Sequence, residues 1–428
     1  MTLWHREWRR LRGSSLIRNT SWMVAGQGSS VLLQAAYFVM LARLLGAAQY
    51  GIFAGAFAFT SIVAQYGSLG TGMVFIRYVP GDRKVFAVYW GNILLVTVSI
   101  GLLLTAALYF IGHQLLNPYS AALVPLAGIA NCLCAQLTTE TGRVFQAFEQ
   151  LQSTAMLNLL TSLMRTLAAG SLLLTLHHST ALQWAVASTV VSIIAAGIAV
   201  ANVSIRFGWP KFEATLFRKH ALEGLGYSFA GSTTVFYNDI DKTMLSHYGM
   251  NLANGIYTMA YRVIDIATIP VSSIQAASLS RFFQRGRSSL SSASDLSRRL
   301  LKRALPLSCL LAAIMFAGAP LIPRILGPGF SQSTSALRWL CLIPVFRSVQ
   351  TLSGAALTGA GYQSYRTGAQ VVAAVLNFAS NLWLIPAYGW HGAAWSSLIT
   401  DGAIGAMNLS ILQGLLWKGA KRARVAVI

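Results

Sequence analysis

Apolar runs of about 18 to 25 residues, broken by short polar segments, recur along the whole chain, and each is long enough to cross the hydrocarbon layer of a bilayer as a helix. The predicted spans are 20–44, 51–76, 87–111, 121–139, 154–176, 181–204, 221–246, 252–276, 305–322, 336–359, 367–385 and 391–415. The pattern therefore predicts an all-α integral membrane protein with about 12 transmembrane helices.

Composition agrees with the pattern. Hydrophobic residues make up 55% of the 428 residues and charged residues only 10%, against about 25% charged in soluble domains, which excludes a soluble enzyme. The formal charge of +21 would suggest nucleic acid in a soluble protein, but here the cations lie in short connections, where topology accounts for them. Alternate connections, from the N-terminus through Arg83/Lys84, Arg143, Lys211 to Lys219, Arg281 to Arg303 and Arg366 to the basic C-terminus, hold 23 of the 32 Lys/Arg, whereas the opposite connections hold Arg43 and Arg324. Both termini are then expected to be cytoplasmic, with an even number of spans. The basic N-terminus is read as retained, since the following apolar run is too long for a signal peptide. There Trp4, Trp8 and Leu11 share a helical face that suits the membrane surface, although a plain basic tail fits as well. Cys132, Cys134, Cys309 and Cys341 sit in apolar runs without CxxC spacing and are read as small core residues.

The basic break at 206–220 divides the chain into a first lobe, 20–205, and a second, 221–417, flanked by segments 1–19 and 418–428. LGAAQYGIFAGA before the second span parallels YGMNLANGIYTMA before the eighth, and from Gly51 or Gly255 an Arg-aromatic pair follows 26 residues on, Arg77-Tyr78 or Arg281-Phe282. Both lobes run in the same sense, so the expectation is a parallel two-fold repeat around a central cavity.

The segment from Arg18 to Val79, with ARLLGAAQYGIFAGAFAF and SLGTGMVFIRYV, resembles the Wzx-type polysaccharide flippases of the MATE-like (MOP) superfamily, as does NDIDKTMLSHYGMNLANGIYTMAYRV in the second half. The resemblance implies two six-helix lobes that flip undecaprenyl-pyrophosphate-linked oligosaccharide across the bacterial inner membrane. It also implies partners in the lipid-linked glycan, the bilayer and other polysaccharide assembly proteins, with no nucleic acid.

Ionisable groups inside spans are the candidate chemistry, because each costs about 2.5–3.5 kcal/mol on insertion scales unless water or a partner meets it. Arg165, Arg262 and Arg347 fall mid-span. They could bind a pyrophosphate bidentately, and the expected clamp takes Arg165 and Arg347 from opposite lobes. For Arg262 the alternative is a pair with Asp265, three residues on. Polar stripes at helical spacing add Gln27 and Gln34, Gln65, Asn158 with Thr154 and Ser162, and Tyr257 with Tyr261 as glycan-facing candidates. Hydrogen bonding between helices explains such stripes equally well. Asp239, Asp241, Asp265 and Asp401 are the carboxylates within spans; the first three, with Lys242, could couple transport to H+ or Na+, and Asp241 beside Lys242 is favoured as an ion pair. The chain has no GxxxxGK[ST] loop for ATP and no HExxH zinc motif, and neither metal nor cofactor is expected. A MATE-like exporter of cations or drugs would want carboxylates in its cavity, but the first lobe's spans contain none beyond Glu140 at an inner end, and a polytopic glycan ligase or polymerase would want a large outer loop, which the sequence lacks; transport of glycan is therefore preferred to both.

Overall fold

The computed structural model describes residues 15–79, 85–176 and 178–425, with side chains described outside 15–31, 214–221 and 419–425. The N-terminal segment with Trp4, Trp8 and Leu11, the Arg83/Lys84 connection and the side chain of Gln27 lie outside the described residues. Helices account for nearly all the rest. Seven of them are long and apolar enough to cross a membrane, and a bent pair, Pro328–Leu340 with Ile343–Gly359, makes an eighth candidate span among the described residues.

The chain forms two compact units, Met1–Leu45 with Gly55–Ser232, and Gly46–Ala54 with Thr233–Ile428. Helix α1 (Ser15–Ala64) contains the first predicted span and the larger part of the second. The loop expected between them is reduced to one non-helical residue, Gly46, at φ 66°. Glycine takes that left-handed backbone without a Cβ penalty, so the run breaks direction with no loop at all. The second predicted span also stops early. Leu69 and Gly70 both have positive φ and turn the chain into the short α2 (Thr71–Tyr78).

The remainder of the first unit is built from α3 (Phe86–Leu115), the short α4 (Pro118–Ala121), α5 (Val124–Gly128), α6 (Ala135–Ala147), α7 (Leu151–Leu176) and α8 (Ala181–Phe207). A π-helical stretch, Ile129–Cys134, joins α5 to α6 and takes the place of the regular fourth span. A cluster around Phe75, Phe86, Trp90 and Phe145 forms its main apolar core, and the Trp90 indole donates to Ser204 at 3.0 Å. After α8 the basic connection is pinned to α3: Lys211 donates its N–H to Ala87 O at 2.7 Å, and the Asn92 amide donates to Glu213 O at 3.0 Å.

Helix α9 (Ala214–His247) carries the boundary between the units after Ser232. The second unit continues through α10 (Asn251–Ser288), α11 (Leu290–Gly318), α12 (Ile322–Leu326), α13 (Ser333–Leu340), α14 (Ile343–Gly359), α15 (Gln363–Tyr388) and α16 (Trp390–Val425). The tenth predicted span is in fact broken, with α13 and α14 bent by 44°. The helices of the eighth and ninth predicted spans extend beyond the apolar runs, since α10 continues to Ser288 and α11 starts at Leu290. Polar residues there still favour helix, and hydropathy alone ends a span sooner than the backbone does.

Inside the second unit the two glycines aligned by the sequence repeat meet. A Cβ on Gly51 would lie 1.8 Å from Asn251 O, and a Cβ on Gly255 would lie 1.8 Å from Ala47 O. The contact is reciprocal, each glycine receiving the carbonyl that lies four residues before the other. Only hydrogen at both positions lets the backbones come this close.

Candidate functional site

Each unit carries its own polar centre. In the second unit, α9, α10, α14 and α16 bring together Asp239, Asp241, Lys242, Tyr257, Tyr261, Asp265 and Arg347 of the sequence-derived candidates, and add Asn238, Ser397 and Asp401. The Lys242 ammonium pairs with Asp239 at 2.6 Å and donates to Asn238 O at 2.7 Å. The expected Asp241–Lys242 side-chain pair is therefore replaced. Neighbouring residues point about 100° apart around a helix, whereas residues three apart share a face. Asp241 instead accepts the Lys242 backbone N–H at 2.7 Å, the Ser397 hydroxyl at 3.2 Å and the Tyr257 hydroxyl. Tyr257 and Ser397 also share a hydrogen bond of 2.8 Å, and both Asp241 and Tyr257 are fully buried.

Arg347 has no carboxylate near it in sequence, yet in the structure it has two, Asp265 at 3.2 Å and Asp401 at 3.8 Å, and it also donates to the Asn238 carboxamide at 3.3 Å. Sequence distance hides these pairs because they join different helices. Arg262 pairs with Asp265 at 3.6 Å, the intrahelical alternative the spacing allowed. Tyr261 lies beneath both kinds of cation, with Lys242 Nζ 5.1 Å and the Arg347 guanidinium carbon 5.7 Å from its ring centre, and its ring lies 5.1 Å from that of Tyr257. Three cations and four carboxylates thus offset one another within this centre, a pattern that limits the cost of burying any of them. Ser397 is absent from the sequence-derived candidates. Its signal was available, since it lies four residues before Asp401 and shares a face of α16 with it.

The first unit holds a different kind of site. Arg165, at the middle of α7, makes no ion pair or side-chain hydrogen bond among the described residues. It lines a cavity of about 300 Å³ together with Asn158, Thr154, Thr161, Thr138 of α6 and Ser192 of α8. The predicted stripe Thr154, Asn158 and Arg165 therefore does face one space, while Ser162 accepts the Thr166 hydroxyl at its carbonyl. Gln34 is exposed and Gln65 partly buried; neither lines this cavity. Glu140, the carboxylate at the predicted inner end of the fourth span, is fully buried and pairs with Arg143 at 2.6 Å. A Cβ on Gly72 would fall 1.5 Å from Glu140 Oε2, so the start of α2 is seated directly on that carboxylate.

The comparisons with known proteins agree with this architecture. A family model described as polysaccharide biosynthesis protein matches residues 16–284. No curated protein sequence matches the chain. Among solved structures, an inward-facing multidrug resistance MATE family transporter of the MOP superfamily is similar with a TM-score of 0.71 at 15% identity, covering 90% of this chain and 96% of that one. The lipid II flippase MurJ in an inward closed conformation is similar with a TM-score of 0.74 at 13% identity, covering 91% and 87%. A MOP superfamily transporter from Pyrococcus furiosus gives 0.57 at 14% identity, covering 94% and 98%. The fold is all-α, multi-pass and MATE-like.

Proposed function

Because the chain belongs to the polysaccharide biosynthesis protein family, matched over more than half its length, we propose that it is a flippase that moves undecaprenyl-pyrophosphate-linked oligosaccharide across the bacterial inner membrane by alternating access. The observation that carries the reading is Arg165, a mid-span guanidinium without a protein partner among the described residues, facing a polar cavity. Such a group favours an anionic, hydroxylated cargo: it keeps its charge in low dielectric and offers five donors in a fixed fork. An exporter of cationic drugs would place a carboxylate where Arg165 stands. The aspartates of the second unit, above all Asp241, are the candidates for H+ or Na+ coupling, and Arg262 and Arg347, with Tyr257 and Tyr261, are the candidates for cargo contacts there.

The test is reconstitution in vesicles with a fluorescent lipid-linked oligosaccharide whose exposure on the far leaflet is read by a glycan-modifying enzyme. Transfer well above that of protein-free vesicles is expected. Arg165→Ala should lose most of it and Arg165→Lys should retain part. Vesicles that move a cationic dye but not the lipid-linked glycan would overturn the proposal in favour of export.

A further inference from the structure

The hydroxyls around Arg165 have already spent their hydrogens. Thr138 donates to Cys134 O at 2.9 Å, Thr139 to Ala135 O at 2.8 Å, Thr161 to Leu157 O at 2.9 Å, Ser192 to Ser188 O at 2.8 Å and Thr154 to Gly142 O at 3.3 Å. A hydroxyl has one donor hydrogen and two acceptor lone pairs. With the hydrogen held by backbone, what each of the five offers the cavity is acceptor capacity. The donors come from the Arg165 guanidinium and from the Asn158 and Gln146 amides, and none of the three side chains has a partner among the described residues.

That inventory discriminates between the anionic parts of a lipid-linked glycan. A pyrophosphate has only acceptors and more than one negative charge, so inside this cavity it would meet five acceptor oxygens and a single cation. Its charge would go uncompensated on most of its surface. A sugar ring presents several O–H donors, which suit the five oxygens, and one acidic substituent on the ring suits the single guanidinium. A neutral sugar would satisfy the hydroxyls and leave the guanidinium without a counter-charge. The volume agrees as well: about 300 Å³ is at the small end of ligand pockets, which run from about 300 to 1,000 Å³, and takes a single ring rather than a chain of them.

We infer that the cavity around Arg165, Asn158 and Thr161 is a subsite for one acidic monosaccharide unit, a hydroxylated ring carrying a single anionic group, and not for the pyrophosphate. The inference rests on the flippase reading for its choice of a glycan. It moves the role of Arg165 from holding the lipid's head group to selecting the cargo.

Saturation-transfer NMR on the full chain in lipid nanodiscs tests this with three probes: glucuronate, glucose and inorganic pyrophosphate. Glucuronate should receive saturation more strongly than glucose, and excess pyrophosphate should not displace it. Arg165→Ala should abolish the preference for glucuronate, and Thr161→Val, which keeps shape but removes the acceptor oxygen, should weaken both sugars. Displacement of glucuronate by pyrophosphate from the unaltered protein, equal signals from the two sugars, or no glucuronate signal at all would each overturn the subsite, and none of these needs a variant to fold. The vesicle assay separates the two claims. If acidic and neutral lipid-linked glycans cross equally well in wild type and in Arg165→Ala, the subsite fails and the flippase stands. If glucuronate binds as described while no lipid-linked glycan crosses, the flippase fails and the subsite stands.

Discussion

Removing Arg347 should destabilise the protein mainly through Asp401. Arg347 Nε lies 3.8 Å from Asp401 Oδ2, with side chains 16% and 5% exposed. At an effective dielectric of about 20 that separation corresponds to roughly 4 kcal/mol of attraction. The second partner, Asp265, is 44% exposed, so solvent screens that pair to about 1 kcal/mol or less. Arg347→Ala leaves the Asp401 carboxylate buried without its cation, a change that typically costs about 3–5 kcal/mol. Asp401→Asn is milder, because Arg347 keeps Asp265 and the Asn238 carboxamide. In the Arg347→Ala, Asp401→Asn double variant the buried charge and its partner are both gone. Its loss should therefore fall short of the sum of the single losses by roughly 2 kcal/mol, within the range of about 0.5–3 kcal/mol that contacting residues show. Reversible unfolding in mixed micelles by titration with denaturing detergent, run on all four proteins at one pH, gives the cycle. Strict additivity would show that the two groups do not interact and would refute the argument that this centre is held by its own charges.

Gly51→Ala and Gly255→Ala should each cost about 1–3 kcal/mol in the same assay, because the new Cβ meets a backbone oxygen and overpacking forces helices apart. Gly197→Ala, which meets nothing within 4 Å in a helix, should be neutral or slightly stabilising, and equal losses at the three positions would count against the close approach. Gly72→Ala should destabilise as well, since its Cβ would collide with the Glu140 carboxylate, and unchanged stability there would remove Glu140 as the seat of α2. In a variant without its four cysteines, a cysteine at Ser288, an exposed end of α10, should be labelled by impermeant maleimide only in inverted vesicles; labelling in intact cells would reverse the topology expected from the loop charges.

The apolar runs located the helices because composition alone decides what lipid tolerates. They could not locate the breaks. A hydropathy window does not distinguish a straight helix from one turned by a single residue, so Gly46 was taken for a loop and the α13/α14 bend went unseen. SLGTG did contain the glycine that Gly70 needs for its positive φ. What makes the turn necessary is Gly224, whose carbonyl would lie 2.1 Å from a Gly70 Cβ, and no local pattern encodes that contact. Aligning Gly51 with Gly255 did single out two residues whose helices approach closely.

For the site, intrahelical geometry was legible and interhelical geometry was not. Arg262 with Asp265 follows from spacing alone, and so does the shared face of Thr154, Asn158 and Arg165. Arg347 with Asp265 and Asp401 does not, and that difference changes which arginine calls for a ligand. A charge within a span that finds partners in its own unit can stay buried without cargo. Every cation of the second unit's centre is in that position, through Asp239, Asp265 or Asp401. Arg165 is the contrasting case, with a cavity in place of a carboxylate. Its insertion cost, about 2.5–3.5 kcal/mol on translocon scales, has to be offset by water when the cavity is open and by an anion when cargo enters. The anion exchanges places with water at one guanidinium without first breaking a protein ion pair. At Arg347 the same anion would have to compete with two aspartates, so binding there would begin from a deficit that Arg165 does not carry.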